Sequence, residues 1–296
     1  MPLNPTTAAP ANITVTLPQI AKTIDHSLLH PTLTDGEISS GLELAKRLRV
    51  AAVCVKPYSI PVAHEVLAES GVQVCAVVGF PHGSSTTSMK VFEAEEALRE
   101  GAHEIDLVIN VGKALGGDWE YVTNEIRLVN EVVAKHSHHN GSMNHGHNHS
   151  PNHSFNHGHG HGHGHGHGHG HGILKVIFET DYLKEAQITR LCNICMALSV
   201  AFVKTSTGFG FVKRRSGLYA CKGATNADLI LMKANVGPNV RVKASGGIRT
   251  LDELLIAYAL GACRIGTSST ESILKEAIAR GIGPTPTKVA LKSPTI

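Results

Sequence analysis

Two lysines in this chain each end a short apolar segment and are followed by a loop of glycine and hydroxyl residues. Lys204 follows the apolar run 200–203 and precedes Thr-Ser-Thr-Gly, and Lys243 ends a similar run before Ala-Ser-Gly-Gly. Burying an ammonium ion is costly unless the ion is paired or loses its proton. A neutral lysine amine attacks carbonyl groups, and partial desolvation or a second cation nearby favours that neutral form. The pair predicts imine chemistry on a phosphorylated aldehyde. The alternative is that each lysine simply extends from a strand end into solvent.

Two aspartates are candidates for moving protons beside these amines. In the segment 104–110, alternation places Glu104, Asp106 and Val108 on one face. A carboxylate beside a lysine in a barrel interior is suited to carrying a proton, although a structural ion pair would show the same pattern. Asp25 ends the first predicted strand. It either supports a lysine or only accepts a hydrogen bond.

Three loops could bind an anion. They are Thr205–Gly208, the Ser-Gly-Gly run 245–247 and the Gly-Thr-Ser-Ser run 266–269. Backbone N–H groups at glycine turns and helix starts hold phosphate well. Each loop alone could be an ordinary turn, but together they follow three successive predicted strands. The residues assigned to substrate or phosphate binding are Cys54, Thr205, Thr207, Gly208, Gly246, Gly247, Ser268 and Ser269.

Short β-rich runs alternate with amphipathic stretches along the chain, which indicates a parallel sheet. Eight evenly spaced units favour a closed (β/α)8 TIM barrel over an open doubly wound sheet, which remains the alternative. In such a barrel the active site gathers at the carboxyl ends of the strands, where the two lysines lie. The predicted strands are Ala21–Asp25, Ala51–Val55, Val72–Val78, Glu104–Asn110, Leu174–Glu179, Val200–Lys204, Val240–Ala244 and Cys263–Gly266.

A histidine-rich tract interrupts the predicted barrel. The range 136–171 holds 15 of the 20 histidines and has no apolar periodicity, so we expect a disordered insertion at 137–172 in a helix-to-strand loop. Residues 1–18 are expected to form a flexible tail, 19–285 the barrel domain and 286–296 a second tail. Without the insertion and the first tail, roughly 240 residues remain, a typical size for this fold.

Composition limits the remaining functional classes. Net charge is +3 and aromatic residues make up 4%, with Lys and Arg scattered rather than striped, so nucleic acid is not an expected partner. No run approaches the length of a membrane span, and no secretory signal or transit peptide is recognisable. The six cysteines are predicted to be reduced thiols of a cytoplasmic protein. The pair Cys192 and Cys195 has redox spacing but fits the apolar face of a helix.

The histidine tract defines a separate hypothesis. Neutral imidazoles suit Zn, Ni and Cu, so the tract can bind these metals adventitiously. A selected role in metal storage or delivery is the rival to an enzyme built on the barrel. Deleting residues 137–172 would distinguish the two, because only the rival needs the tract.

The residues that carry this chemistry resemble the deoxyribose-phosphate aldolases, a family of class I aldolases with a (β/α)8 fold. The resemblance spans residues 20–280 apart from the insertion, and the two lysine-containing stretches together are its most specific part. The matching segments are 24–29, 53–57, 78–83, 104–110, 202–210, 242–249 and 264–268.

The resemblance implies reversible cleavage of 2-deoxy-D-ribose 5-phosphate to D-glyceraldehyde 3-phosphate and acetaldehyde, without a metal or organic cofactor. Lys204 would form the Schiff base, while Asp106 and Lys243 would donate and accept protons. The segment 179–182 departs from the family pattern, and we expect it to alter the rim of the pocket. Another Schiff-base aldolase acting on a longer sugar phosphate stays an alternative, and self-association stays open.

Overall fold

Eight parallel strands close into a barrel in the order β2-β3-β4-β5-β6-β7-β10-β11, which confirms the predicted (β/α)8 architecture. The structure is a computed structural model that describes residues 9–142, 172–213 and 216–292. Within those ranges the strands are β1 (Asn12–Val15), β2 (Ile24–Leu28), β3 (Ala52–Val55), β4 (Gln73–Val78), β5 (Glu104–Val108), β6 (Ile173–Ile177), β7 (Phe202–Lys204), β8 (Val212–Lys213), β9 (Tyr219–Ala220), β10 (Arg241–Ser245), β11 (Ala262–Thr267) and β12 (Thr287–Ala290).

Helices follow the barrel strands and cover the outside of the barrel. In the same described ranges they are α1 (Leu17–Ala21), α2 (Asp35–Leu48), α3 (Ile60–Leu67), α4 (Thr87–Arg99), α5 (Val111–Leu115), α6 (Trp119–Ser142), α7 (Glu185–Ala197), α8 (Asn226–Asn235), α9 (Leu251–Ala259) and α10 (Thr270–Ala279). None of these helices combines the length and the hydropathy needed to cross a bilayer.

Two prolines flank the start of helix α3. Pro57 opens a 3-10 turn, and Pro61 lies in the first turn of α3. Backbone N–H groups in a first helical turn have no intrahelical acceptor, so proline costs nothing there. A proline pair that resembles a loop signal therefore marks a helix start.

The two ends of the described chain differ from the expectation of loose tails. Strand β1 pairs antiparallel with β12, so Asn12 lies opposite Ala290. Helix α1 then begins with a capping box in which Thr16 and Gln19 exchange hydrogen bonds. As a result the first barrel strand begins at Ile24, three positions later than predicted.

The histidine-rich insertion falls between helix α6 and strand β6. Helix α6 extends to Ser142, into the range 137–172 that was expected to be disordered, and β6 begins at Ile173. The connection therefore enters a strand at its amino end. Residues 143–171, and with them the predicted disorder and metal binding of the tract, lie outside the described residues.

A buried ion pair fixes the loops that follow β4 and β5. Lys90 of α4 and Glu125 of α6 are fully buried, and Lys90 Nζ lies 2.6 Å from Glu125 Oε1. Lys90 Nζ also donates to the carbonyls of Gly83 and Val108, at 2.8 and 2.9 Å. Glu125 Oε2 accepts from the N–H of Asn110 at 2.9 Å. One pair of charges thus ties two strand-to-helix loops to the outer helices.

Replacing Lys90 with methionine should lower the free energy of unfolding by about 3–5 kcal/mol, because the carboxylate of Glu125 would stay buried without its cation. Denaturant titration measures this change. Lys275→Met removes a lysine from an exposed pair with Glu271 and should change stability by less than about 1 kcal/mol. Equal effects of the two substitutions would contradict the bracing role of Lys90.

Candidate active site

Strand register brings the two predicted lysines side by side. Lys204 of β7 and Lys243 of β10 are direct partners in adjacent parallel strands. Asp106 of β5 pairs in the same way with Lys175 of β6, a lysine that the sequence analysis did not single out. Because side chains alternate along a strand, all four point into the barrel. The barrel interior therefore holds three lysines around one carboxylate.

Asp106 lies at the centre of this cluster. Its Oδ2 atom is 2.6 Å from Lys204 Nζ and 2.8 Å from Lys243 Nζ. Its Oδ1 atom is 2.8 Å from Lys175 Nζ and accepts from Cys75 Sγ at 3.1 Å. Asp106 is fully buried, and Lys204 is only 2% exposed. One carboxylate thus contacts all three amines, which is the arrangement needed to pass protons among them.

A second layer of charges lies below this group. Asp25 Oδ2 is 2.5 Å from Lys243 Nζ, a charge contact without hydrogen-bond geometry, and Asp25 Oδ1 accepts from Arg264 Nε at 2.6 Å. Glu104 Oε2 accepts from Arg264 at 2.7 Å and lies 2.7 Å from Lys175 Nζ. Asp25 is the second residue of β2, not the last residue of its strand as predicted, so it contacts Lys243 from below.

Mutual pairing holds most of these groups in their charged forms. Burial alone would raise the pKa of Asp106, but Lys175, Lys204 and Lys243 outweigh burial and hold that pKa well below its usual range. For Asp25, burial is likewise outweighed by Lys243 and other cations, and the pKa falls to about 2. Burial would lower the pKa of Lys243, yet Asp106 and Asp25 raise it above its ordinary value. In this site Lys243 is therefore protonated and carries a positive charge next to Lys204.

A cavity of about 530 Å³ opens above the cluster at the carboxyl end of the barrel. Lys204 and Lys243 reach the floor of this cavity. Asp106 and Lys175 lie deeper in the barrel, beneath those two side chains. Six of the residues predicted to contact substrate line this cavity: Cys54, Thr207, Gly208, Gly246, Gly247 and Ser268. A sugar-sized molecule in this space would contact Lys204 Nζ and the glycine loops at the same time.

Two of the predicted contact residues do not line the cavity. Thr205 is fully buried, and its hydroxyl donates to the carbonyl of Ser245 at 2.9 Å and accepts from the N–H of the same residue at 3.0 Å. The hydroxyl therefore joins β7 to β10 rather than facing a ligand. Ser269 lies just before α10, and its N–H donates to Thr267 Oγ1 at 2.9 Å.

Glycine is required where the loops after β7 and β10 meet the segment before α8. Gly246 has a φ of +89°, and a Cβ atom there would lie 2.8 Å from the Cα of Gly223. Asp181, in the segment that departs from the family pattern, accepts from the N–H groups of Lys222 and Gly223 at 2.6 and 2.9 Å. Asp181 therefore holds the loop that packs against Gly246 at the cavity rim.

A buried glutamate holds the loop after β7. Glu179 accepts hydrogen bonds from the backbone N–H of Thr207, at 3.2 and 3.3 Å, and from the hydroxyl of the same residue. The Thr207 hydroxyl in turn accepts from the N–H of Phe209 at 2.9 Å. Phe209, which lines the cavity, contacts Phe80 edge-to-face, with ring centroids 5.6 Å apart. Glu179 thus positions the loop that bounds the cavity.

Sequence comparisons identify the family of this chain. The profile of the DeoC/LacD family of aldolases matches residues 19–138. The deoxyribose-phosphate aldolase of Rhodopirellula baltica is 41% identical over 258 residues, which cover 87% of this chain and 89% of that protein. This chain belongs to the deoxyribose-phosphate aldolase family. It is therefore an aldolase-class lyase.

Solved structures of aldolases share the barrel. A structure described as "QR15, an Aldolase" superposes with a TM-score of 0.70 at 33% identity, covering 88% of this chain and 97% of that one. The tetrameric deoxyribose phosphate aldolase of Aeropyrum pernix gives a TM-score of 0.68 at 24% identity, covering 88% and 92% of the two chains. The second similarity concerns the fold alone.

Three charged residues of the aldolase site were not found from the sequence. Lys175 lies within the apolar strand Ile173–Ile177, so the signal that identified Asp106 was also present there. Arg264 and Glu179 gave weaker signals, because each lies near the end of a predicted strand where charged residues are common. Their roles depend on residues at least 28 positions away, namely Thr207 for Glu179 and Asp25 for Arg264.

Glu179→Gln should flatten the pH dependence of stability in this aldolase. Burial raises the pKa of Glu179 to about 7, although hydrogen bonds from Thr207 oppose the shift. Because folding raises this pKa, the protonated Glu179 side chain favours the folded state. This contribution is complete below the ordinary value of 4.5 and is lost as the pH rises to about 7. The glutamine amide in the variant resembles the protonated acid, so the variant should keep this contribution to stability at every pH.

Urea unfolding of both proteins at about pH 5 and about pH 8 tests this expectation. At each pH the unfolding free energy of the wild type is subtracted from that of the variant. This difference should be about 1–3 kcal/mol larger at the higher pH than at the lower one. Other titrating groups are common to both proteins and cancel in the comparison. Parallel stability profiles would show that Glu179 does not titrate in this range.

Proposed function

We propose that this chain reversibly cleaves 2-deoxy-D-ribose 5-phosphate to D-glyceraldehyde 3-phosphate and acetaldehyde through a Schiff base on Lys204, in the catabolism of deoxyribose phosphate. The observation that carries the proposal is the position of Lys204 Nζ. It lies on the floor of the cavity and 2.6 Å from an Asp106 oxygen that also contacts Lys243. Membership of the aldolase family supports the same reaction.

Charge balance supports Lys204 as the amine that reacts. The buried cluster contains four basic side chains and three carboxylates, namely Lys175, Lys204, Lys243 and Arg264 against Asp25, Glu104 and Asp106. One cation is therefore in excess, and a buried excess charge is costly. Among the described residues, Lys204 contacts one carboxylate, whereas Lys175 contacts three and Lys243 two. Lys204 is therefore the lysine of the cluster with the fewest carboxylate partners, and that one partner, Asp106, keeps two other lysines.

The proposed reaction uses these groups in sequence. The Lys204 amine adds to the aldehyde carbon of the open-chain sugar, and loss of water gives a protonated imine. Removal of the proton from the C3 hydroxyl breaks the C2–C3 bond, and the bonding electrons move toward the imine nitrogen to give an enamine. Asp106 and Lys243 move the protons, including the one that returns to C2. Hydrolysis then releases acetaldehyde and restores the amine.

The loops of the cavity supply the site proposed for the phosphate group. Gly208, Gly246, Gly247 and Ser268 line the end of the cavity formed after β7, β10 and β11. Backbone N–H groups in such loops bind phosphate oxygens, and barrels commonly place phosphate beside the last strands. Nothing in the described residues favours metal storage or a longer sugar substrate over this reaction. Self-association of this chain stays a prediction.

Two measurements test the proposed function. A coupled assay should detect D-glyceraldehyde 3-phosphate when the deoxy sugar phosphate is added. Borohydride reduction in the presence of acetaldehyde should fix an ethyl group on Lys204, located by peptide mapping. Since three amines contact Asp106, a label on Lys175 or Lys243 would overturn the assignment of Lys204, and absence of cleavage would overturn the substrate.

A further inference from the structure

Two thiols face each other beside the central carboxylate. Cys54 of β3 and Cys75 of β4 are direct partners in adjacent parallel strands. Their sulfur atoms and a carboxylate oxygen of Asp106 all lie within 4.8 Å of one another. Paired residues on neighbouring strands have Cα atoms roughly 5 Å apart, within the range that a disulfide spans. The spacing of the strands is therefore compatible with a bond between the two sulfur atoms once the side chains rotate.

The two thiols differ in access and in surroundings. Cys54 lines the active-site cavity, and its Sγ atom lies 3.5 Å from the cationic Lys243 Nζ. Interaction with the neighbouring Cys75 thiol lowers the pKa of Cys54, and the charge of Lys243 lowers it further against the effect of burial. Cys75 is fully buried, and burial raises its pKa. Cys54 is thus the thiol that a small oxidant in the cavity meets first.

We propose that hydrogen peroxide converts Cys54 and Cys75 into a reversible disulfide that switches off the aldolase site. The Cys54 thiolate attacks a peroxide oxygen, so that an S–O bond forms and the O–O bond breaks. The hydroxide that leaves takes up the proton that the Cys54 thiol had released and becomes water. The sulfur of Cys75 then attacks Cys54, and the sulfenic hydroxyl leaves as a second water with the remaining thiol proton. Two thiols lose two electrons and one peroxide gains them. An external dithiol reverses the bond by exchange.

Disulfide formation disturbs the groups that hold Asp106. In the reduced protein, Cys75 Sγ donates to Asp106 Oδ1 at 3.1 Å and accepts from Lys175 Nζ at 3.1 Å. A disulfide has no S–H to donate, and its sulfur atoms must approach to about 2.05 Å. Cys75 therefore withdraws from both partners, and Asp106 loses two thiol donors, Cys75 at 3.1 Å and Cys54 at 3.9 Å. The carboxylate that the proposed mechanism needs in a fixed position is then displaced.

The test treats the full-length protein with hydrogen peroxide, blocks the remaining thiols with iodoacetamide, and digests it with a glutamate-specific protease. Cleavage at Glu65 and Glu69 separates Cys54 from Cys75, so a disulfide appears as two linked peptides. We expect this linked product, lighter than the two free peptides by two hydrogen atoms. Aldolase activity should fall in parallel by about tenfold or more, and dithiothreitol should restore it.

Three variants sharpen the test, each compared with its own untreated sample. Cys54→Ser and Cys75→Ser should both lose the part of the inactivation that dithiothreitol reverses. The double variant Cys192→Ala/Cys195→Ala is the matched control, because this second pair of close thiols is buried in α7, away from the cavity. It should keep both the linked peptide and the reversible inactivation.

Several results would overturn the proposal. These are oxidation of Cys54 without a linked peptide, a linked peptide with full activity, and reversible inactivation that survives Cys75→Ser. Failure of the proposed aldolase reaction gives a different result, namely no activity before peroxide is added. The linked peptide would still report whether the two thiols join.

Discussion

Replacing Lys204 with alanine should lower kcat for cleavage of the sugar phosphate by at least about 10⁴-fold, because no Schiff base can form. The effect on the free energy of unfolding should be small. Lys204 contacts Asp106 alone among the described carboxylates, and Asp106 keeps Lys175 and Lys243 at 2.8 Å each. Removal of the Lys204 amine therefore leaves no carboxylate unpaired.

Steady-state kinetics and denaturant titration measure the two effects of Lys204→Ala. Lys222→Ala is a matched control, because this lysine is exposed and adjoins the cavity rim. It should keep its activity within a few-fold and should still be labelled at Lys204 by acetaldehyde and borohydride. Retention of the label in Lys204→Ala would show that another amine forms the imine.

Replacing Lys243 with leucine should lower kcat at neutral pH by about 100-fold or more and move the pH–rate profile toward higher pH. The charge next to Lys204 disappears in this variant, so the neutral amine is no longer favoured by repulsion. Asp25 and Asp106 also lose a partner, at 2.5 and 2.8 Å, and part of the loss of activity reflects their altered positions. The shape of the pH profile distinguishes the two contributions.

Lys175→Leu is the matched control for Lys243→Leu, because it removes the same charge from the same buried cluster. Lys175 contacts Oδ1 of Asp106, whereas Lys204 and Lys243 share Oδ2. We expect Lys175→Leu to reduce stability and to move the pH–rate profile less. Equal profiles in the two variants, or an unshifted profile in Lys243→Leu, would argue against the cationic role of Lys243.

The amino-acid sequence by itself determined the fold and the outline of the site. Eight apolar runs alternating with amphipathic stretches predict a closed barrel, because each run must be buried between the barrel interior and a helix. Lys204, Lys243 and Asp106 interrupt such runs with charges, and a buried charge needs a reason. These signals are local, so they can be identified without knowing which residues meet.

The tertiary structure alone decided which charges come together. The sequence places Asp25 and Arg264 239 positions apart, yet strand register makes them hydrogen-bond partners. Register also places Cys54 opposite Cys75 and puts the hydroxyl of Thr205 between strands instead of in the cavity. Pairing across a barrel depends on the closure of the whole sheet, and a one-residue shift would turn each side chain to the other face. No local pattern contains that information.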